Sequence, residues 1–227
     1  MNKRFENEDW SEAYFHNVDF SGSRVQEGNF DGASFSGFAG SLKINGFEVW
    51  PLIEAELVRV HPEYAELRRP PQDAEGCGRA VDVVLGQLDE TTARVMNLPD
   101  EQRRQRVDDE WSALETMRHL VYVIDVWLRT VIRGELDALD PIGLPNTADP
   151  PIDPDVDPTF EDVHAAWMQR ADLVRTYVHA IDPDELDRPP AGPDYEPSIR
   201  DALWVIFYEL WWHNHYMTRD LATLQSL

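Results

Sequence analysis

The chain has one cysteine, two lysines and no long apolar segment, and each scarcity excludes a class of protein. A single thiol, Cys77, cannot form an intramolecular disulfide and leaves too few sulfur ligands for a cysteine-rich zinc site. No apolar run reaches the roughly 18 residues that cross a bilayer, and the first residues lack the apolar core of a signal peptide. We therefore expect a cytoplasmic protein that does not enter a membrane.

Basic residues are also scarce. The 227 residues contain 20 Lys and Arg against 43 Asp and Glu, which gives a formal net charge of −23. A surface this acidic repels nucleic-acid backbones and anionic lipid, so neither is expected as a partner. Hydrophobic residues make up 42% of the chain, which is enough to bury a core without disulfides or a structural metal.

A five-residue period opens the chain. A large apolar residue recurs without a break at Phe15, Phe20, Val25, Phe30 and Phe35, and a small or compact residue stands two positions before each. A period of five fits neither an α-helix nor an alternating strand, but it suits a coil with square corners and inward-pointing large residues. The pattern resembles the pentapeptide-repeat family. This resemblance implies a short right-handed β-helix that caps the domain after it.

Helical periodicity replaces the repeats from Pro51 onward, so the fold class is mainly α. We assign residues 1–50 to the repeat segment, with a hairpin turn at Asn45-Gly46 near its end. Residues 51–78 form a linker helix and a loop. Residues 79–227 contain four long helical segments with one long connection, for which a four-helix bundle is the economical arrangement.

Local signals place the helices of the bundle. Ser112 and Glu115 have the spacing of a capping box, so the clearest helix begins there. Six prolines lie between residues 134 and 158 and exclude regular structure, which makes this segment a long crossover loop. The last helix begins near Ser198 and runs almost to the end of the chain.

Three side chains on two of these helices form a candidate metal site. Glu209 and His213 are four residues apart on the last helix, so they project side by side, whereas His215 points away. His119 lies at the rim of the apolar stripe of the Ser112 helix. A carboxylate and an imidazole in an apolar interior each cost several kcal/mol unless paired or bound to a cation. The spacing alone leaves two readings open, a divalent metal on all three residues or a Glu209–His213 ion pair with His119 unrelated.

Two sequence blocks carry a second resemblance. The segments EWSALETMRHLVYVIDVWL and ELWWHNHYMTRDLATL resemble the signature helices of the DinB-like four-helix-bundle metalloproteins, and the resemblance covers about residues 79–227. That family usually has His-x-x-x-His on the last helix, but here Glu209 stands in the first position. The resulting His…Glu-x-x-x-His set resembles the mycothiol-dependent maleylpyruvate isomerase branch. The resemblance implies a divalent metal on His119, Glu209 and His213, with zinc expected and nickel or iron as alternatives.

The resemblance also implies an activity. Many DinB-like proteins are transferases or isomerases that use a low-molecular-weight thiol, so we expect mycothiol or a similar thiol and an electrophilic substrate as partners. Arg118, Arg129 and Arg219 carry the charge to hold a carboxylate of substrate or cofactor, and we assign Arg118 and Arg219 to this role. For Arg219, an ion pair with Asp220 is an equally good reading. The alternative function is a non-catalytic, metal-stabilised scaffold whose repeats bind a partner.

The last helix is apolar on both sides. Trp204, Tyr208, Trp211 and His215 cover its back, opposite the face that packs in the bundle. Either the repeat segment or a second subunit would cover this face, and DinB-like proteins are often dimers. We therefore expect a homodimer, with packing inside one chain as the alternative.

Overall fold

The computed structural model describes residues 4–15, 18–35, 40–146, 156–192 and 196–225. Its contacts divide the chain into two units, Met1–Gly40 and Ser41–Leu227. Residues 51–78, which the sequence assigns to a linker, belong to the second unit.

The first unit keeps the five-residue period. Its backbone turns at ten-residue intervals, and a hydrogen bond closes each turn, from Ala13 N to the carbonyl of Trp10 and equivalently at Ser23 and Ala33. The large side chains contact one another along the period, with ring centroids 5.0 Å apart for Phe5 and Trp10 and 5.2 to 6.1 Å apart for the pairs that follow. The period therefore begins at Phe5, two repeats before Phe15, where the sequence pattern placed its start.

The expected right-handed β-helix is not formed, because no strand occurs among the described residues of this unit. The backbone enters the left-handed region at one residue after another in step with the period: Asn7, Glu12, Gly22, Glu27 and Gly32. Extended strands need negative φ, so these residues interrupt any strand every few positions. The seven large side chains stay 44–72% exposed, since so few repeats offer no neighbouring coils to bury them.

The second unit opens with the hairpin that the sequence predicts. Lys43–Ile44 (β1) pairs antiparallel with Phe47–Glu48 (β2). Asn45 and Gly46 both have positive φ, 50° and 84°, which is the backbone that a tight two-residue hairpin turn requires.

Helices make up the rest of the described unit. They are α1 (Trp50–Val60), α2 (Tyr64–Leu67), α3 (Ala74–Met96), α4 (Asp100–Arg103), α5 (Ala113–Ile124), α6 (Phe160–Ala180) and α7 (Ile199–Leu224). A π-helical segment, Asp125–Ile132, continues α5 without a break, and a short 3-10 turn, Pro183–Glu185, follows α6. None of the helices in the described part of the chain is long and apolar enough to cross a bilayer.

Side-chain caps set the helix starts. Ser112 and Ser198 each form a complete capping box, so α5 and α7 begin where the sequence predicts. Helix α3 begins earlier than predicted, because Asp73 Oδ1 accepts a hydrogen bond from Gly76 N at 2.7 Å and draws residues 74–78 into the helix. Cys77 is buried there, and desolvation raises the pKa of its thiol to about 11, which disfavours a nucleophilic role.

Helices α3, α5, α6 and α7 form a four-helix bundle around one core. Helix α3 lies beside α6 and α7, and α5 with its π-helical continuation lies beside the same two helices. Contacts between Glu110 and Arg219 at one end and between Val131 and Gly192 near the other show that α5 runs antiparallel to α7. This arrangement buries the faces that the apolar stripes predict, with Trp167, Leu120 and Leu128 among the fully buried side chains.

Helix α2 covers part of the back of α7. Trp204 Nε1 donates to the carbonyl oxygen of Leu67 at 2.7 Å, and the Tyr64 ring lies 4.5 Å from that of Trp211. Tyr64 and Leu67 are almost fully buried by this contact. The second apolar face of α7 is thus partly packed inside its own unit, as the alternative reading held, and the homodimer stays a prediction.

The last carbonyls of the π-helical segment are capped by the loop before α7. Ala191 N donates to Ile132 O at 3.1 Å and Gly192 N to Val131 O at 2.8 Å. A Cβ added at Gly192 would overlap the carbonyl oxygen of Thr130 and lie 2.7 Å from that of Val131. Position 192 therefore accepts only glycine if the segment is to remain capped.

We predict that Gly192→Ala lowers the free energy of unfolding by about 1–3 kcal/mol, because the methyl group displaces the loop from these carbonyls. The matched control is Gly86→Ala, since Gly86 is exposed in the middle of α3 and a Cβ there meets nothing within 4 Å. That control is expected to stabilise by about 0.5–1 kcal/mol. Urea denaturation of both variants checks the pair, and equal effects would contradict this account of the loop.

Candidate metal centre

The packing of α5 against α7 brings the three predicted ligands together. His213 Nε2 lies 3.2 Å from Glu209 Oε2, and His119 Nε2 lies 3.9 Å from the same oxygen. One donor atom from each side chain lies within 4.8 Å of the others, and within the described residues this is the only such group of three His, Cys, Asp or Glu side chains. Ligand atoms around one tetrahedral zinc lie roughly 3.3 Å apart, given bonds of about 2.0–2.2 Å, so the spacing suits one ion.

A backbone carbonyl sets the tautomer of His119. Its Nδ1 lies 2.8 Å from the carbonyl oxygen of Leu144, in the loop after the π-helical segment. Because a carbonyl oxygen only accepts, Nδ1 must carry the proton. In the neutral ring the lone pair is then on Nε2, which faces Glu209. Metal-binding histidines commonly have this arrangement, with the second ring nitrogen donating to a carbonyl or carboxylate.

The donor set is unfavourable unless a cation or an added proton lies within it. The lone pair of His119 Nε2 faces a carboxylate at 3.9 Å with no hydrogen bond between them. His119 is buried, so little water is available to separate the two groups. Either the imidazole takes a second proton or a divalent ion binds all three ligands, and the ion relieves every member of the set at once.

The charge states of the other two ligands favour metal binding. Desolvation on its own would raise the pKa of Glu209, but the positive charge of the His119 and His213 imidazoles in their protonated forms outweighs it and lowers the pKa to about 2. Burial lowers the pKa of His213, and the nearby His119 lowers it further, against the opposing effect of Glu209. At neutral pH the site therefore holds a carboxylate and a neutral imidazole, the forms in which these side chains bind metals.

Aromatic rings surround the two imidazoles. The Trp111 ring lies 4.8 Å from that of His119 and stacks on His213 at 6.0 Å with an interplanar angle of 20°. Tyr122 lies 5.9 Å from His119 on the other side, and Tyr216 lies 6.4 Å from His213. These rings exclude water and restrict the orientation of both imidazoles. Nothing in the sequence pattern marked Trp111 and Tyr122 as members of the site, although Trp111 directly precedes the cap of α5.

The remaining predicted residues lie outside the set of three ligands. His215 stacks on Trp211 at 5.3 Å, on the opposite side of α7, as its position predicts. Arg219 forms ion pairs with Glu110 and Asp220, both at 2.7 Å. Arg129 pairs with Asp125 and Glu135. Arg118 instead forms no ion pair with a described residue, and its Nε donates to the carbonyl of Ile142 at 2.8 Å.

Comparison with known families decides the family of the bundle. The sequence model of the DinB superfamily matches residues 85–217, more than half of the chain and a span that includes all three ligands. The chain belongs to the DinB superfamily. A model of pentapeptide repeats in eight copies matches residues 4–37. The two matches confirm both resemblances noted in the sequence. No curated protein and no solved structure matches the chain.

The DinB assignment agrees with the metal-compatible geometry of the site. DinB superfamily proteins bind metals, and the three residues that the structure brings together here are those at which the resemblance implies a metal. The types of ligand limit which ions the site can bind. Two imidazoles and one carboxylate suit zinc, and they also suit nickel or iron.

Substituting a residue that hydrogen-bonds to a metal ligand usually lowers metal affinity by roughly 10- to 100-fold. We predict that His213→Ala weakens zinc binding by more than this, because the variant loses a ligand itself. His215→Ala is the matched control, since it removes the same side chain two residues away on the opposite face of α7. Competition with a chromophoric chelator measures both affinities, and circular dichroism verifies that both variants are folded. Equal affinities in the two variants would exclude the proposed metal site.

Proposed function

We propose that this DinB-superfamily protein is a metal-dependent transferase or isomerase that uses a low-molecular-weight thiol such as mycothiol. One observation carries the proposal: the three ligands are graded in exposure. The side chains of His119, His213 and Glu209 are 3%, 17% and 33% exposed. A site closed by protein would bury all three, whereas this gradient leaves an approach for a small molecule on the Glu209 side, as catalytic metal sites require.

A divalent metal in this site supplies a Lewis acid that favours the thiolate over the thiol at neutral pH. The residues of the chain orient the ligands and partly shield them from water. Leu144 fixes the tautomer of His119 through the hydrogen bond to Nδ1. Trp111 covers both imidazoles, and Glu209 provides the negative charge that balances the ion.

The proposed reaction of the thiol needs no oxidant or reductant. The S–H proton leaves to solvent, and the sulfur forms a bond to an electrophilic carbon of the substrate. In a transfer, the leaving group departs with its electron pair as the C–S bond forms. In an isomerisation, the adduct forms, the bond to be isomerised rotates, and the same thiolate is expelled again.

Arg118 is the better placed of the two predicted anion-binding arginines. It directly precedes His119, and it forms no ion pair with a described residue in a chain of net charge −23. Partial burial lowers the pKa of its guanidinium, which marks a cation whose desolvation is not fully compensated. Arg219 is already engaged by two carboxylates. We therefore assign a carboxylate of the thiol or of the substrate to Arg118.

We predict that the zinc-loaded protein accelerates addition of mycothiol to a simple electrophile by at least about 100-fold over the reaction without protein. His213→Ala and chelator treatment are expected to abolish this acceleration, and His215→Ala is expected to retain it. The thiol consumed over time gives the rate. Acceleration that survives metal removal would contradict a metal-dependent mechanism, and a zinc-binding protein without any acceleration would contradict catalysis.

We further predict that Arg118→Gln raises KM for an anionic thiol or electrophile by about 10-fold or more, because a charge-assisted contact is lost. Arg219→Gln is the control and is expected to leave KM within about 2-fold. Zinc content is measured in both variants, so that a loosened metal site is separated from lost substrate binding. A KM unchanged in Arg118→Gln would remove this residue from the substrate site.

A binding role for the repeat segment is the second candidate function. Its seven large side chains remain about half exposed, and the rings from Phe5 to Phe20 contact one another in sequence. Exposed apolar surface of this extent typically marks an interaction site. Under this alternative the metal stabilises the bundle and the repeats bind a partner. Zinc would then raise the thermal stability of the chain without conferring thiol-transfer activity.

A further inference from the structure

A short segment after the π-helical part of α5 connects a buried ion-pair cluster to His119. We call residues 138–144 the strap. The strap contacts α6 through Asp140 and α5 through Ile142 and Leu144. Its last residue supplies the carbonyl that holds His119 Nδ1. The position of the strap therefore bears directly on the orientation of a proposed metal ligand.

A fully buried carboxylate anchors the beginning of the strap. Asp125 Oδ1 accepts hydrogen bonds from Arg129 Nη1 and Arg170 Nε, both at 3.0 Å. Its Oδ2 accepts from Arg170 Nη2 at 3.2 Å and from the backbone nitrogen of Asp140 at 3.0 Å. A buried carboxylate is tolerated only when its bonds are satisfied in this way, so Asp140 N has a fixed partner at the end of α5.

The side chain of Asp140 binds the strap to α6 and also accepts a hydrogen bond from within the strap. Arg170 Nη2 donates to Asp140 Oδ2 at 3.1 Å, and Ile142 N donates to Asp140 Oδ1 at 3.0 Å. Gly143 N donates to the Asp140 carbonyl at 2.9 Å. This turn determines the course of the backbone between the anchor and Leu144.

The end of the strap is bonded to the turn of α5 that carries His119. Arg118 Nε donates to Ile142 O at 2.8 Å, and Leu144 N donates to Arg118 O at 3.2 Å. Gly143 lies so close to α5 that an added Cβ would be 3.2 Å from Cβ of Tyr122. Any larger side chain at position 143 must push the strap outward.

We propose that Asp140 is a positioning residue for the metal centre, acting through the strap on the tautomer of His119. If Leu144 O moves away, the neutral imidazole loses the partner that keeps its proton on Nδ1. The proton is then free to occupy Nε2, which removes the lone pair that faces Glu209 and His213. The consequence for metal binding rests on the proposed function, whereas the effect on the tautomer does not.

The first test uses the metal-free protein at pH 8. Nitrogen chemical shifts of His119 in a ¹⁵N-labelled sample report which ring nitrogen carries the proton. We expect the Nδ1–H form in the wild type and a shift toward the Nε2–H form in Asp140→Ala. Gly143→Val is the second variant, because it displaces the strap without removing a charge. Asp89→Ala is the control, since it breaks the exposed Arg175–Asp89 pair between α3 and α6, away from the strap.

The second test measures zinc affinity of the same proteins by chelator competition. Asp140→Ala and Gly143→Val are expected to bind zinc about 10- to 100-fold more weakly than the wild type, with Asp89→Ala unchanged. A wild-type tautomer in both strap variants would overturn the proposal, as would wild-type zinc affinity in both. A wild type that binds no zinc would contradict the proposed function instead, and the tautomer measurement would then decide the role of the strap by itself.

Discussion

The antiparallel packing of α5 against α7 is the constraint on which the candidate site depends. It places the buried His119, from one helix, opposite Glu209 and His213, from the other, whose side chains remain partly exposed. The same packing contributes to the pKa shifts of Glu209 and His213, because it buries both side chains and brings the His119 imidazole close to them. The site is thus a product of the bundle and not of one motif.

The loop between α5 and α6 completes the site from outside the bundle. Its proline-rich composition predicts an irregular segment, and its described first part is held by a buried ion-pair cluster and by main-chain bonds to α5. This loop therefore supplies the carbonyl acceptor for His119 Nδ1. No helix in the described part of the chain supplies another.

Much of the bundle could be predicted from the sequence, because its signals act over a few residues. The capping boxes at Ser112 and Ser198 and the turn at Asn45-Gly46 are local interactions, and the structure has them where they are predicted. Local reasoning failed where another part of the chain intervened. Glycines 76 and 78 indicate a break, but the cap at Asp73 and close packing on His179 keep them in α3. The repeat segment kept its period, but so few repeats do not form a β-helix.

The helical period of the sequence is enough to show which potential ligands share a helix face, since it separates His213 from His215. The packing of the bundle was needed to show that His119 joins Glu209 and His213, that Leu144 orients it, and that α2 packs on the back of α7. Distance along the chain explains why these contacts could not be read from the sequence. Residues 90 positions apart come together through the packing of whole helices, and a carbonyl oxygen, which every residue has, leaves no trace in the sequence.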